Sequence, residues 1–214
     1  NRINGSIDYY YRKTKDLLNE IPVAAGSNLT NKLVTNVGDL SNQGFEFNLN
    51  AIPITNDSWH WEVNVNMSYN KNKIIKLIRN KDPNYVGVLT GGISGGTGST
   101  IQIHSEGHPS NAFYVYHQVY DENGKPLEGV YVDLNGDGII NQLDLYRYKS
   151  PAPKWLAGFS SYLKYKNWDL NIAGRFSFGN YVYNNVQSNG ALYSRMYDNT
   201  GFYSNIPVSY THLR

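Results

Sequence analysis

Cysteine is absent from the 214 residues, which removes both a disulfide framework and any thiolate metal site. Long apolar runs are missing as well: no stretch approaches the ~18 apolar residues that a membrane-crossing helix needs. Charge of one sign is also missing. Lys and Arg number 19 against 17 Asp and Glu, a formal net charge of +2, so there is no electrostatic case for a nucleic-acid partner. No basic start followed by an apolar core marks an export signal; the chain is then either not exported or an internal piece of something longer. No Ser-His-Asp or Cys-His arrangement can be read, and no pair of carboxylates is singled out for acid–base work. The glycine-rich run 87–98 lacks the Lys that follows the last Gly of a phosphate-binding loop. What the chain has in quantity is Tyr, 19 against 7 Phe and 4 Trp, with abundant Asn. Its mean hydropathy is −0.51. A membrane barrel is compatible with that value, because its strands alternate apolar and polar residues.

The stretch Trp59-His60-Trp61-Glu62-Val63-Asn64-Val65-Asn66-Met67-Ser68-Tyr69 carries the clearest pattern. Odd positions are apolar and even ones polar, the period of a two-faced β-strand. The apolar side is aromatic at both ends and aliphatic between, as in a barrel strand crossing a membrane with Trp and Tyr at the interfaces. A strand of a soluble β-sandwich shows the same period, and recurrence has to decide between the two.

It recurs. Ile3 to about Thr14 alternates; residues 19–33, with Pro22, Gly26 and Asn28, read as a loop. Residues 34–52 form a second strand region, with Phe45, Phe47, Leu49 and Ala51 on one side. The turn 54–58 then joins it to the Trp59 strand. Residues 155–165 and 168–178 make another two-faced hairpin about Lys166-Asn167. Between them, 70–109 reads as mostly flexible loop, 111–120 as one strand, and 121–124 as a turn; 179–214 reads as loop with at most one short strand. The short turns 54–58 and 166–167 resemble the tight turns on one side of an outer-membrane barrel. If both lie there, an even number of crossings separates the Trp59 strand from the Trp155 strand. The reading taken is none, with 71–154 a long external insertion; two extra crossings are the alternative. The fold class expected is all-β, antiparallel strands of a partial transmembrane barrel with long external loops. About five strands cannot close a barrel, so residues 1–214 are expected to be a fragment of one barrel domain.

One chemical motif stands apart. Asp133, Asn135, Asp137, Ile139, Asn141 and Asp144 occupy positions 1, 3, 5, 7, 9 and 12 of a twelve-residue loop, with Gly138 at the sharp turn. That is the spacing of an EF-hand calcium loop, in which hard oxygens converge on one cation. Asp144 stands where the longer Glu is usual, and helices do not obviously flank the loop. A polar turn held by Asx hydrogen bonds explains the composition without a metal. A structural Ca²⁺ is the expectation. His104 and His108 are spaced as helical zinc ligands would be, but Gly107 and Pro109 argue against a helix.

Several segments together resemble one family. They are Thr14-Lys15-Asp16-Leu17-Leu18 with Pro22-Val23; Asn36-Val37-Gly38 with Asn42-Gln43-Gly44-Phe45-Glu46; and Trp59–Tyr69 running into Asn70-Lys71-Asn72-Lys73-Ile74. Gly107-His108-Pro109 before Phe113-Tyr114, the Asp133–Ile139 run, Pro151-Ala152-Pro153-Lys154, Tyr165–Leu170 and Phe178-Gly179-Asn180 follow in the same order. The chain resembles the C-terminal barrel region of SusC/RagA-type TonB-dependent transporters of Bacteroidetes, without their plug domain. The resemblance implies residence in the outer membrane and uptake of large nutrients, glycan oligosaccharides or peptides. It also implies a SusD-like surface lipoprotein as lid, TonB acting through a segment N-terminal to this one, contact with outer-membrane lipid, and no enzymatic activity. A soluble or surface-attached calcium-binding β-sandwich that binds carbohydrate is the alternative.

Overall fold

The computed structural model describes residues 2–22, 32–78, 82–93 and 100–186. In chain order the strands are β1 (Ile3–Pro22), β2 (Lys32–Thr55), β3 (Trp59–Lys76), β4 (Val88–Gly92), β5 (Thr100–His104), β6 (Ala112–Tyr116), β7 (Gln118–Tyr120), β8 (Pro126–Tyr131), β9 (Leu145–Arg147), β10 (Trp155–Tyr165) and β11 (Trp168–Phe178). A short 3₁₀ turn, Gln142–Asp144, precedes β9. The described residues fall into two compact units.

The first unit, Asn1–Gly87 with Ser105–Ser110 and Ser150–Tyr181, is a five-stranded antiparallel sheet in the order β1-β2-β3-β10-β11. β3 pairs with β10 from Trp59↔Tyr165 to Tyr69↔Trp155, so no strand of this sheet lies between them. At one end the connections are short. Asn56 Oδ1 accepts the Ser58 and Trp59 N–H groups at 3.0 and 2.8 Å. Lys166 takes the left-handed φ of +51° that reverses the chain tightly, and its N–H donates to the Ser58 carbonyl at 2.9 Å. Pro53 sits where the β2–β3 register shifts, a place that needs no ladder N–H.

At the other end the strands run longer than the alternation foretold. β1 continues to Pro22 rather than ending near Thr14, and β2 spans Lys32–Thr55 rather than 34–52. β3 continues through Asn70–Lys76, which read as loop. The physical reason is common to all three. Past the apolar band both faces are wet, so the period-two signal vanishes while backbone pairing goes on. A bulge in β1 between Thr14 and Leu17 places Asp16 at φ +57°, a conformation Asp tolerates better than most residues. Segment 105–110 then braces β3: Gly107 N–H donates to Ile74 O, Ile74 N–H to His108 O, and the Glu106 carboxylate accepts Leu77 N–H at 2.7 Å.

The second unit comprises Val88–His104, Asn111–Lys149 and residues 182–186. It holds a four-stranded antiparallel sheet, β4-β5-β6-β9, and the hairpin β7-β8. Ile103, Ala112, Phe113 and Tyr114 are its buried centre. β4, β5, β8 and β9 lie in stretches where no strand was expected, and the single strand expected over 111–120 is broken at His117. These pieces are three to six residues long, too short for a period to declare itself. The expectation for 179–214 falls mainly on residues 187–214, outside the described residues.

Candidate functional site

The register turns the alternation of single strands into rows across the first sheet. On the apolar face, Tyr9, Phe45, Tyr69, Trp155 and Phe178 form one row. Its rings touch: Phe45–Tyr69 centroids are 5.4 Å apart and Tyr69–Trp155 4.7 Å. At the far end Trp59, Tyr165 and Trp168 form a second row, with Trp59 and Tyr165 4.2 Å apart. Between the two rows lie Ile7, Phe47, Met67, Leu49, Val65, Phe159, Val63, Ile172, Leu163 and their neighbours, without a charge. From Trp59 to Tyr69 is ten steps. At ~3.3 Å per residue and a tilt of ~40°, the rows stand about 25 Å apart along a membrane normal. This face is uncovered: Ile7, Met67, Trp168, Ile172 and Phe178 are all exposed. The Trp61 indole N–H, two steps inside the Trp59 row, is satisfied sideways by Ser161 Oγ at 2.9 Å.

The opposite face is polar: amides and hydroxyls run across its middle, and Asp8, Glu46, Glu62, Lys164, Asp169 and Arg175 lie on it as well. Asn4, Asn50, Asn64 and Ser160 make one row; Ser6, Asn48 and Asn66 make the next. Asn50 Nδ2 donates to Asn64 Oδ1 at 2.6 Å, and Asn64 Nδ2 to Ser160 Oγ at 3.3 Å. Gly44 is buried because Tyr10 lies across it to reach Asn70 Oδ1 at 3.1 Å; a Cβ there would collide with the Tyr69 carbonyl. Two unlike faces, one an oily band of membrane height edged by aromatics and one wet, define a wall segment of an outer-membrane β-barrel.

The calcium-type loop lies in the second unit. Asp133 accepts Gly136 and Gly138 N–H through its two oxygens, each at 2.7 Å. Asn135 accepts Asp137 N–H at 3.1 Å, and Asp137 accepts Ile139 N–H at 2.8 Å. Asn141 caps the 3₁₀ turn by accepting Leu143 N–H at 2.8 Å, and its amide reaches the Ile139 carbonyl at 3.4 Å. Asp144 has no exposed surface. Its Oδ1 accepts Leu134 and Asn135 N–H, and its Oδ2 accepts Asn141 N–H at 2.8 Å. The Asn141 N–H, foremost among these donors, holds the Asp144 carboxyl below the usual carboxylate range against the opposing effect of burial. In donor type the six residues fit a hard cation: three carboxylates, two amides and a backbone carbonyl. In placement the side-chain oxygens are turned to the loop's own N–H groups, and no three His, Asp or Glu side chains converge among the described residues. The helix that would pair His104 and His108 as ligands does not form: His104 ends β5, and residues 105–110 are turn. His104 Nδ1 accepts the Asn111 N–H at 3.2 Å, and burial lowers its pKa.

With this geometry in hand, comparison with known proteins is specific. No family model matches the chain. The TonB-dependent receptor SusC of Bacteroides thetaiotaomicron is 43% identical over 210 residues, covering 98% of this chain and 20% of that protein. The TonB-dependent receptor P3 of Formosa agariphila is 33% identical over 198 residues, 86% of this chain and 19% of that protein. Among solved structures, the RagAB peptide transporter superposes with a TM-score of 0.67 at 24% identity, over 91% of this chain and 21% of that one. The chain belongs to the SusC/RagA-type TonB-dependent receptors, as a stretch of the barrel wall of an outer-membrane protein. It spans about a fifth of the length of the curated relatives it matches. These relatives are receptors and transporters, not enzymes.

Proposed function

We propose that the protein to which this wall belongs imports large nutrients, glycan oligosaccharides or peptides, across the outer membrane. Energy comes through TonB, and a SusD-like surface lipoprotein closes the external mouth. In this reading the chain does no chemistry on its cargo. It holds hydrocarbon on one face and a hydrated passage on the other, and the second unit is part of the external surface. The observation that carries the reading is the pair of aromatic rows bracketing an uncharged band about 25 Å tall, on a sheet whose other face is polar and charged, with hydrogen-bonded amides across its middle. The relatives' names add TonB dependence, and RagAB is itself described as a peptide transporter.

The test uses the full-length protein in its own outer membrane. Labelled oligosaccharides and peptides are offered to cells with and without the gene, and with and without a protonophore. Uptake of one class is lost in both cases, and a surface lipoprotein co-purifies with the receptor. Uptake indifferent to the gene or to the protonophore counts against the import reading. A full barrel that remains monomeric in water without detergent supports the calcium-binding, carbohydrate-binding sandwich instead.

We also propose that the loop 133–144 takes a structural Ca²⁺, held by Asp133, Asn135, Asp137, the Ile139 carbonyl, Asn141 and Asp144. The cation would brace the short strands around it; support comes from the donor set. Asp133→Ala and Asp137→Ala remove Ca²⁺-dependent protection of this loop from protease. Cleavage that is identical with and without Ca²⁺ in the unaltered protein sinks the idea.

A further inference from the structure

The apolar face does not end symmetrically. Among the described residues, those beyond the Trp59–Tyr165–Trp168 row belong to the tight turns 56–58 and 166–167. Beyond the Tyr9–Phe45–Tyr69–Trp155–Phe178 row, β1, β2 and β3 continue, and the same face carries two further rows: Tyr11–Gln43–Lys71, then Lys13–Ser41–Lys73. Lys13 is paired with Asp39 at 3.4 Å. Lys71 and Lys73 are exposed, and among the described residues neither has an ionic partner. Both ride on backbone held from two sides: β2 pairs along one edge, and segment 105–110 ties the other through Ile74 and Asn72. At ~3.3 Å per residue and a tilt of ~40°, they stand about 5 and 10 Å outside the aromatic row, at headgroup depth. In a barrel the end with long connections faces outward, so the two ammonium groups meet the outer leaflet.

We propose that Lys71 and Lys73, with the Tyr69 ring beneath them and Tyr11 in the row of Lys71, form a binding site for the phosphate headgroup of an anionic outer-leaflet lipid. This rests on the barrel reading. The acyl chains lie along the uncharged band, the Tyr69 ring sits at the ester level, and the lysines neutralise the phosphate. Charge complementarity selects the occupant, since the two rows just past the aromatic row carry three lysines, Lys13, Lys71 and Lys73, and no acid, and the Asp39 carboxylate beyond them is paired with Lys13. A lysine near an anionic surface contributes about fivefold to binding.

The experiment uses the full-length receptor in phosphatidylcholine nanodiscs containing a small fraction of lipid A, with retained lipid counted by native mass spectrometry. The unaltered receptor retains lipid A. Lys71→Gln and Lys73→Gln each weaken retention roughly fivefold, and the double variant about thirtyfold, while Lys166→Gln at the opposite end changes nothing. Retention unchanged in the double variant, with a heat-modifiable folded barrel, overturns the site and leaves the barrel standing. Displacement of the lipid by millimolar inorganic phosphate also overturns it, because a headgroup anchored by its chains resists a free anion. A receptor that needs no detergent or bilayer brings down the barrel reading itself.

Discussion

Arginine placed at Ile172 and at Phe178 separates a membrane wall from a soluble sheet. Both side chains lie on the apolar face of β11, and their exposures are nearly equal, 52% and 54%. Local packing therefore gives little reason for one substitution to cost more than the other. Depth does. Phe178 is in the outer aromatic row opposite Trp155, whereas Ile172 pairs with Ser161, which pairs with Val63. Val63 lies four of the ten steps from Trp59 to Tyr69, so at ~3.3 Å per residue and a tilt of ~40° Ile172 is within about 3 Å of mid-band. On a lipid-facing barrel surface Arg costs about 2–4 kcal/mol at the midplane and about 0–1 kcal/mol at the interface. Ile172→Arg is expected to lose roughly 2–3 kcal/mol more than Phe178→Arg. On a solvent-facing sheet both changes fall within about 0.5 kcal/mol of neutral. The assay is reversible denaturant unfolding of the full-length receptor in phosphatidylcholine vesicles, read by Trp fluorescence and by gel mobility. Equal costs, or a larger cost at Phe178, refute the assignment of oil to this face.

Gly44→Ala should lower stability by about 1–3 kcal/mol in the same assay, because the new methyl meets the Tyr69 backbone and displaces Tyr10 from Asn70; Gly92→Ala, with open space around it, should fall well below that. Asp144→Asn removes a charged acceptor from three backbone N–H groups, and limited proteolysis should cut residues 133–144 faster at pH 7. The Asp144 carboxyl is held below its ordinary pKa in the fold, so its contribution is complete above about pH 4 and is lost as pH falls through the depressed folded value; protease resistance of this loop should decline on acidification in that window and in no higher one. His104 titrates the other way in charge but not in sign. Its pKa is lowered by burial, so the neutral ring stabilises the fold above about pH 6.5 and that contribution is lost as pH falls below it. Hydrogen exchange of the Asn111 amide should therefore quicken between pH 7.5 and 5.5, and a pH-independent rate after correction for intrinsic chemistry would exclude the Nδ1 bond.

The wall was legible where one face is dry. In Trp59–Tyr69, Trp155–Tyr165 and Trp168–Phe178 the demand for apolar side chains at every second position is written directly into the residues; β10 and β11 have the bounds the alternation predicts, whereas β3 starts at Trp59 as expected and runs on past Tyr69 to Lys76. Where Lys71 and Lys73 alternate with Asn70 and Asn72, no side of the strand is penalised for being polar, so its continuation could be known only from its partners. The rows that set band height were hidden for a related reason, because a single strand shows its period but not which residue of the next strand it faces. The cation-type loop was visible as spacing, yet spacing says nothing of where carboxylates turn; Asp144 proves to face three N–H groups inside the loop. His104 and His108 show the reverse case, a suggestive interval without the helix it requires, since His104 ends β5 and His108 lies in the turn segment that follows.

The join between Tyr69 and Trp155 has a bearing on how such a wall is put together. Two neighbouring staves must find each other across residues 70–154, and bringing distant points of a loose chain together slows assembly. Any part of that stretch that folds locally shortens the loose chain left to close, and the second unit, with its own buried centre at Ile103 and Phe113, is the part of residues 70–154 able to do so.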